Sequence, residues 1–221
     1  MSVNVGLIAG HGMNAANLPV IWRYLRDPYV CKLLIATNPE EVDMEVCRHP
    51  KAIIIKWDGE NRHDMIARQN NNMLEVMREE KYCPRANWYM ICEDDGMPCD
   101  NYFEVLQRKI YSYPVIATGR CFNLDGSRYW DISRNPDPNV WGKPVLVPYH
   151  DWWEDKYKTG FYINGNQSIM NYFAFNLGVL FRECNAQDTW WCGDMVSAGA
   201  QIVLLDNFMT LKKMHIKVKS V

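Results

Sequence analysis

The chain has 221 residues, 48% of them hydrophobic, enough for one domain with a substantial core. A formal net charge of −2 gives no basic footprint for nucleic acid, and no run of about 18 apolar residues is present to span a bilayer. Eight scattered cysteines without a C-x-x-C pair do not form a zinc knuckle, and an opening without a basic leader fits reduced thiols in a cytoplasmic protein.

The first half alternates strand and helix signals. Val3–Ala9 is an apolar run closed by Gly10-His11-Gly12, which predicts a buried strand and a loop. Asn17 and Pro19 open a helix predicted to end near Arg26. Cys31–Thr37, closed by Asn38-Pro39, and Ala52–Trp57, closed by Asp58-Gly59, predict two more buried strands. A helix follows over 63–80. Trp88–Cys92 is a fourth strand running into Glu93-Asp94-Asp95-Gly96, after which Asp100 is placed to cap a helix over 102–111. Strands separated by helices imply a largely parallel sheet covered on both faces. Ligands of such sheets bind beyond the carboxyl ends of the strands, where all four closing loops gather.

The second half has another texture. Pro114–Gly119 begins a strand, and 120–170 is rich in Gly, Pro, Asn, Asp and aromatics, predicting loops and short antiparallel strands. Residues 188–199 predict a loop entering a helix, with Asp194 near its start; Gln201–Leu205 and Lys212–Val218 are two late strands. The division is one domain over 1–221, with a half to about 112 and another from about 113.

Three adjacent carboxylates at a strand end repel one another, which a cation offsets. Magnesium and manganese take oxygen ligands and share them with phosphates, and Gly96 lets the chain turn away. A solvated acidic loop is the plainer alternative. Arg68 is more simply a surface partner of Asp64, and otherwise a candidate phosphate clamp. Asp194 can cap a helix, act as a general base, or both. His215 lies in an alternating run that turns it away from Met214, Ile216 and Val218. Rossmann G-x-G-x-x-G, P-loop and G-x-S-x-G signatures are absent.

In order, these segments resemble glycosyltransferases of the GT-A fold: the strand ending in Asn38, the Ala67-Arg68-Gln69-Asn70 helix, the acidic triplet after the fourth strand, Phe181-Arg182-Glu183, Gly193-Asp194 and the terminal His215. The resemblance implies a Rossmann-like, mostly parallel sheet with a smaller antiparallel, loop-rich acceptor half. It implies transfer of a sugar from a nucleotide-sugar donor, most simply a UDP-sugar, to a glycan or glycoconjugate hydroxyl with inversion. Manganese or magnesium would sit on Asp95 and His215. The donor would meet Ala9, Gly10, His11, Asn38, Asp58, Arg68, Glu93 and Asp94. Asp194 would be the catalytic base, and Trp152, Trp153, Trp190 and Trp191 would wall the acceptor. Gly193 stands where the family pattern has Glu, and Asn38 where it often has Asp. The compact length resembles soluble bacterial or large-virus members, the latter working in host cytoplasm. A sugar-phosphate nucleotidyltransferase is the first alternative, although the 10–14 loop carries no Lys or Arg. A non-catalytic carbohydrate-binding module using the Trp-rich half is the second.

Overall fold

The computed structural model describes residues 2–10, 12–38, 40–57, 62–94, 96–123, 125–128, 132–134, 145–146, 161–163, 167–184, 187–205 and 210–213. His11, Asp58, Asp95, Trp152, Trp153 and His215 lie outside them.

The elements run β1 (Val3–Ala9), α1 (Leu18–Arg26), β2 (Val30–Thr37), α2 (Met44–Arg48), β3 (Ala52–Lys56), α3 (Arg62–Arg78), β4 (Trp88–Glu93), β5 (Gly96–Pro98) and α4 (Tyr102–Arg108). The second half supplies β6 (Val115–Thr118), β7 (Arg120–Phe122), β8 (Ile132–Arg134), β9 (Val145–Leu146), β10 (Phe161–Ile163), β11 (Gln167–Asn171), α5 (Tyr172–Phe175), α6 (Gln187–Ser197), β12 (Gln201–Leu204) and β13 (Thr210–Lys213). The four predicted N-terminal strands are all present.

Among the described residues the main sheet has seven strands in the order β12-β6-β11-β4-β1-β2-β3. β1 pairs in parallel with both β2 and β4, and β11 is the antiparallel member, lying between β4 and β6. Residues from both halves of the chain therefore share one sheet. β1, β2 and β4 are buried along nearly their whole length because helices cover both faces, which explains their continuous apolar runs. One core layer lies under α1 and α4 and includes Leu7, Tyr24, Leu25, Tyr102 and Phe103. The other lies under α3 and α6 and includes Met73, Met77, Ile91, Phe181, Trp191 and Ile202. Gly6 permits the close approach of β1 and α3: a Cβ there would stand 2.7 Å from Ile91 Cδ1 and 2.9 Å from Met73 Sδ.

Two smaller sheets complete the description. β8 joins β9 and β10 in antiparallel pairs, as the 120–170 composition predicts. β13 lies between β5 and β7, antiparallel to the first and parallel to the second. The predicted strand over 212–218 is thus seen at 210–213, its remainder lying outside the described residues. Asp100 is not the cap of α4; Asn101 occupies that position. All eight cysteines are thiols. Among the described residues, no helix is long and apolar enough to cross a membrane.

Candidate functional site

The sheet reverses its direction of growth between β1 and β4, since β2 and β3 are added on one side of β1 and β4 on the other. Such a reversal opens a crevice at the carboxyl ends of the strands. Ile8 pairs with Glu93, so Ala9-Gly10 and Glu93-Asp94 emerge side by side at that point. The acidic turn is fastened from three directions. The Asp94 amide donates to Ile8 O at 3.1 Å. Asn17 Nδ2 donates to Asp94 Oδ2 at 2.7 Å and also to Gly12 O at 2.8 Å. Tyr24 Oη donates to Gly96 O at 3.0 Å. Asn17 precedes α1 as predicted, but its side chain ties the first loop to the acidic turn and makes no cap bond within the helix. Burial pushes the Tyr24 phenol well above its ordinary pKa, so it remains a donor at any physiological pH.

The neighbouring loops are equally definite. Asn38 Oδ1 accepts from the Glu40 amide at 3.1 Å, an Asx turn that shapes the end of β2. Trp57 follows β3 and lays its ring against Gly10, where a Cβ would lie 3.2 Å from Cζ2 and Cη2. Gly12, at φ 78°, packs against the Glu41 side chain. The triplet's described members, Glu93 and Asp94, are partly exposed oxygen donors suited to a hard cation. Among the described residues no group of three metal-capable side chains assembles.

On the α3 side, Arg68 is half exposed and its Nη2 meets Glu183 Oε2 at 3.3 Å. Asn71, one turn on, accepts from the Phe181 amide at 2.7 Å and donates to its carbonyl at 3.0 Å. Segment 176–184 is thereby strapped to α3.

Two expectations for α6 are corrected. Trp191 does not wall an acceptor: it is fully buried and stacked on Phe181 with ring centroids 5.1 Å apart. Asp194 does not open the helix. It lies in the eighth of eleven positions of α6, where Arg182 grips it through Nε at 2.7 Å and Nη2 at 2.6 Å. The helix starts earlier because packing of Trp191 and Cys192 carries it through Gly193, despite a cost of about 1 kcal/mol for Gly in a helix interior.

Sequence reasoning passed over an acidic residue at the start of α6. Asp188 lies in the first turn of α6 and accepts from the Thr189 amide at 2.8 Å. β12 runs parallel to β6 and starts a few residues after α6, so α6 runs back along the sheet with its N-terminus at the crevice end. Asp188 stands three and four residues before the buried Trp191 and Cys192, on the side of the helix that faces the sheet. Asp194 and Trp190 share a different flank. The signal was available as an acidic residue directly before a run of buried helix positions.

By sequence, no family profile and no curated protein matches this chain. By structure it is similar to S. aureus TarS 1–349, with a TM-score of 0.65 at 9% identity over 95% of this chain and 60% of that one. The fold is of the GT-A type. A second neighbour is the mannosyltransferase PcManGT of Pyrobaculum calidifontis in complex with GDP-Man and Mn2+, with a TM-score of 0.59 at 8% identity over 96% of this chain and 56% of that one. The nucleotidyltransferase side of the fold is represented by 4-diphosphocytidyl-2C-methyl-D-erythritol synthase of Anaerococcus prevotii, with a TM-score of 0.54 at 8% identity over 99% of this chain and 91% of that one. TarS 1–349 is also known in complex with UDP-GlcNAc. The chain spans 60% of TarS 1–349, and glycosyltransferases and nucleotidyltransferases share this architecture.

Proposed function

We propose that the chain is a divalent-cation-dependent glycosyltransferase that moves a sugar from a nucleoside-diphosphate donor to a glycan or glycoconjugate hydroxyl. The observation that carries this reading is the Glu93-Asp94 turn, fixed at the β1–β4 reversal beside Gly10. Neighbours with the same fold are solved with UDP-GlcNAc and with GDP-Man and Mn2+. Residues to about 112 are assigned the nucleotide and the remainder the acceptor; the free thiols suit a reducing, cytoplasmic setting.

Asp95 and His215 would hold Mn2+ or Mg2+, with Glu93 and Asp94 meeting the metal, its waters or the donor. The pairing of Lys213 with Gly96 supports that grouping. When bound, the cation supplies charge stabilisation of the departing diphosphate. Ala9, Gly10, His11, Asn38 and Asp58 line the donor side. Arg68 exchanges Glu183 for a donor phosphate oxygen and steadies the negative charge that develops there. Asp188 is the general base. It accepts the acceptor hydroxyl proton as that oxygen bonds the anomeric carbon, the bond to the diphosphate breaks, and configuration inverts. Trp190, with Trp152 and Trp153, flanks the acceptor.

Nucleotidyl transfer is the second reading, favoured by the 91% coverage of a nucleotidyltransferase of similar size. Against it stands the Gly12 loop, which packs on the Glu41 carboxylate and has no Lys or Arg to meet a triphosphate. A screen of nucleotide sugars for manganese-dependent binding and hydrolysis decides between them. The transferase reading expects binding of a nucleoside diphosphate sugar that is lost with EDTA. Release of pyrophosphate from a nucleoside triphosphate and a sugar phosphate would refute it.

A further inference from the structure

Arg182 is held on two sides. Its guanidinium carbon stands 4.9 Å from the centroid of the Trp190 ring, and Asp194 takes Nε and Nη2 in a bidentate pair. The side chain is nevertheless 53% exposed. A guanidinium carries five N–H donors in one plane, and Asp194 uses two of them. The Nη1 edge has no partner among the described residues. A long side chain ordinarily surrenders much rotamer freedom on binding, but here that ordering is already complete. Trp190 belongs to the first turn of α6, at the crevice end, two residues after Asp188 and so on nearly the opposite side of the helix, with Asp194 one turn further along the same flank. Arg68, the other arginine of this seam, is engaged by Glu183 and belongs to α3 on the donor side.

We propose that Arg182 recognises an oxyanion on the acceptor, a carboxylate or a phosphate ester. Trp190 supports the guanidinium from below, and Asp194 is a positioning residue that fixes the fork. This rests on the transferase reading and names the substrate class of its acceptor side. Because Asp194 neutralises much of the cation's field, recognition depends on the planar geometry of the donors rather than on net charge. A lysine at 182 keeps the charge and loses the fork.

The test uses the full chain with UDP and manganese on an array of neutral, carboxylated and phosphorylated glycans of matched backbone. The wild type is expected to retain anionic glycans over their neutral counterparts. Arg182→Ala and Arg182→Lys should both weaken that retention by about tenfold or more, the effect of losing a charge-assisted hydrogen bond. Asp194→Asn should weaken it less, by raising KM for the anionic acceptor while leaving kcat nearly unchanged. UDP affinity measured on the same proteins should stay within about twofold, since the donor uses other residues. Comparing carboxylated with phosphorylated spots tells which oxyanion is read. No preference for anionic glycans in the wild type overturns the proposal. Arg182→Lys behaving as wild type overturns it too, as does an equal loss of UDP affinity in Arg182→Ala, which would give Arg182 to the donor diphosphate. Failure of the wild type to bind UDP with manganese refutes the transferase reading itself, a result separate from all of these.

Discussion

The acidic turn and the 176–184 strap are both polar assemblies that join distant parts of the chain, yet they are built on opposite terms. The turn is fastened by Asn17, Tyr24 and a main-chain bond to β1, and Tyr24 is fully buried. The strap is fastened by Arg68–Glu183 and Arg182–Asp194, whose side chains are 27–54% exposed. Hydrogen bonds sealed from water hold one geometry. Ion pairs in contact with water contribute little to stability and leave their charged groups within reach of ligands. The proposed cation site has the first kind of support; the proposed acceptor surface has the second.

The sharpest way to break this contrast is at the chemistry. Asp188→Asn should lower transfer by about 10²–10⁴-fold, the usual contribution of a general base, with manganese-dependent UDP binding intact. Asp194→Asn should lower it by less than about tenfold; steady-state kinetics on the two variants assign the base. Next is Asp95→Ala, expected to remove metal-dependent donor binding in a titration with UDP and manganese while circular dichroism reports a retained fold. Tyr24→Phe tests the buried support: losing the bond to Gly96 O and the weaker one from Cys92 Sγ should cost about 1–2 kcal/mol in chemical denaturation, and should weaken donor binding as Gly96 loosens. Glu183→Ala is expected to change stability by less than about 1 kcal/mol in the same assay. It should strengthen rather than weaken UDP binding by releasing Arg68.

The smallest effect concerns pH. Desolvation, with the Lys51 charge nearby, lowers the His49 pKa from its ordinary 6.5. Below that ordinary value the unfolded chain binds a proton that the folded chain takes up only at lower pH. Stability attributable to His49 is therefore present above about pH 6.5 and falls as the pH drops through the lowered value. Thermal melts of His49→Gln across pH 5–7 should show a shallower slope than the wild type.

Much of the fold was legible because burial on both faces leaves unbroken apolar runs: VNVGLIA, VCKLLIAT and WYMICE announce β1, β2 and β4. The acidic turn was legible because adjacent carboxylates at a strand end demand an explanation. Short elements were not. α2 has five residues and depends on Asp43 accepting from the Glu45 and Val46 amides, a local cap with no periodicity to expose it. β11 was hidden for another reason: QSIMN is neither long nor strongly apolar, and it becomes a strand because β4 and β6 present edges to it. The misplaced start of α6 has the same root. The sequence reading began the helix near Asp194, but the stack of Trp191 on Phe181, a contact between distant positions, draws the preceding residues into it.

The place of β11 also bears on how the chain is made. Residues 167–171 enter the middle of the sheet after β6, covering the open edge of β4 long after β4 has left the ribosome. Until then β4 presents unpaired main-chain groups along an apolar strand, the feature that invites pairing between chains. Slow translation through 94–166 should therefore lengthen the period of greatest aggregation risk, whereas prompt synthesis through Asn171 closes the sheet.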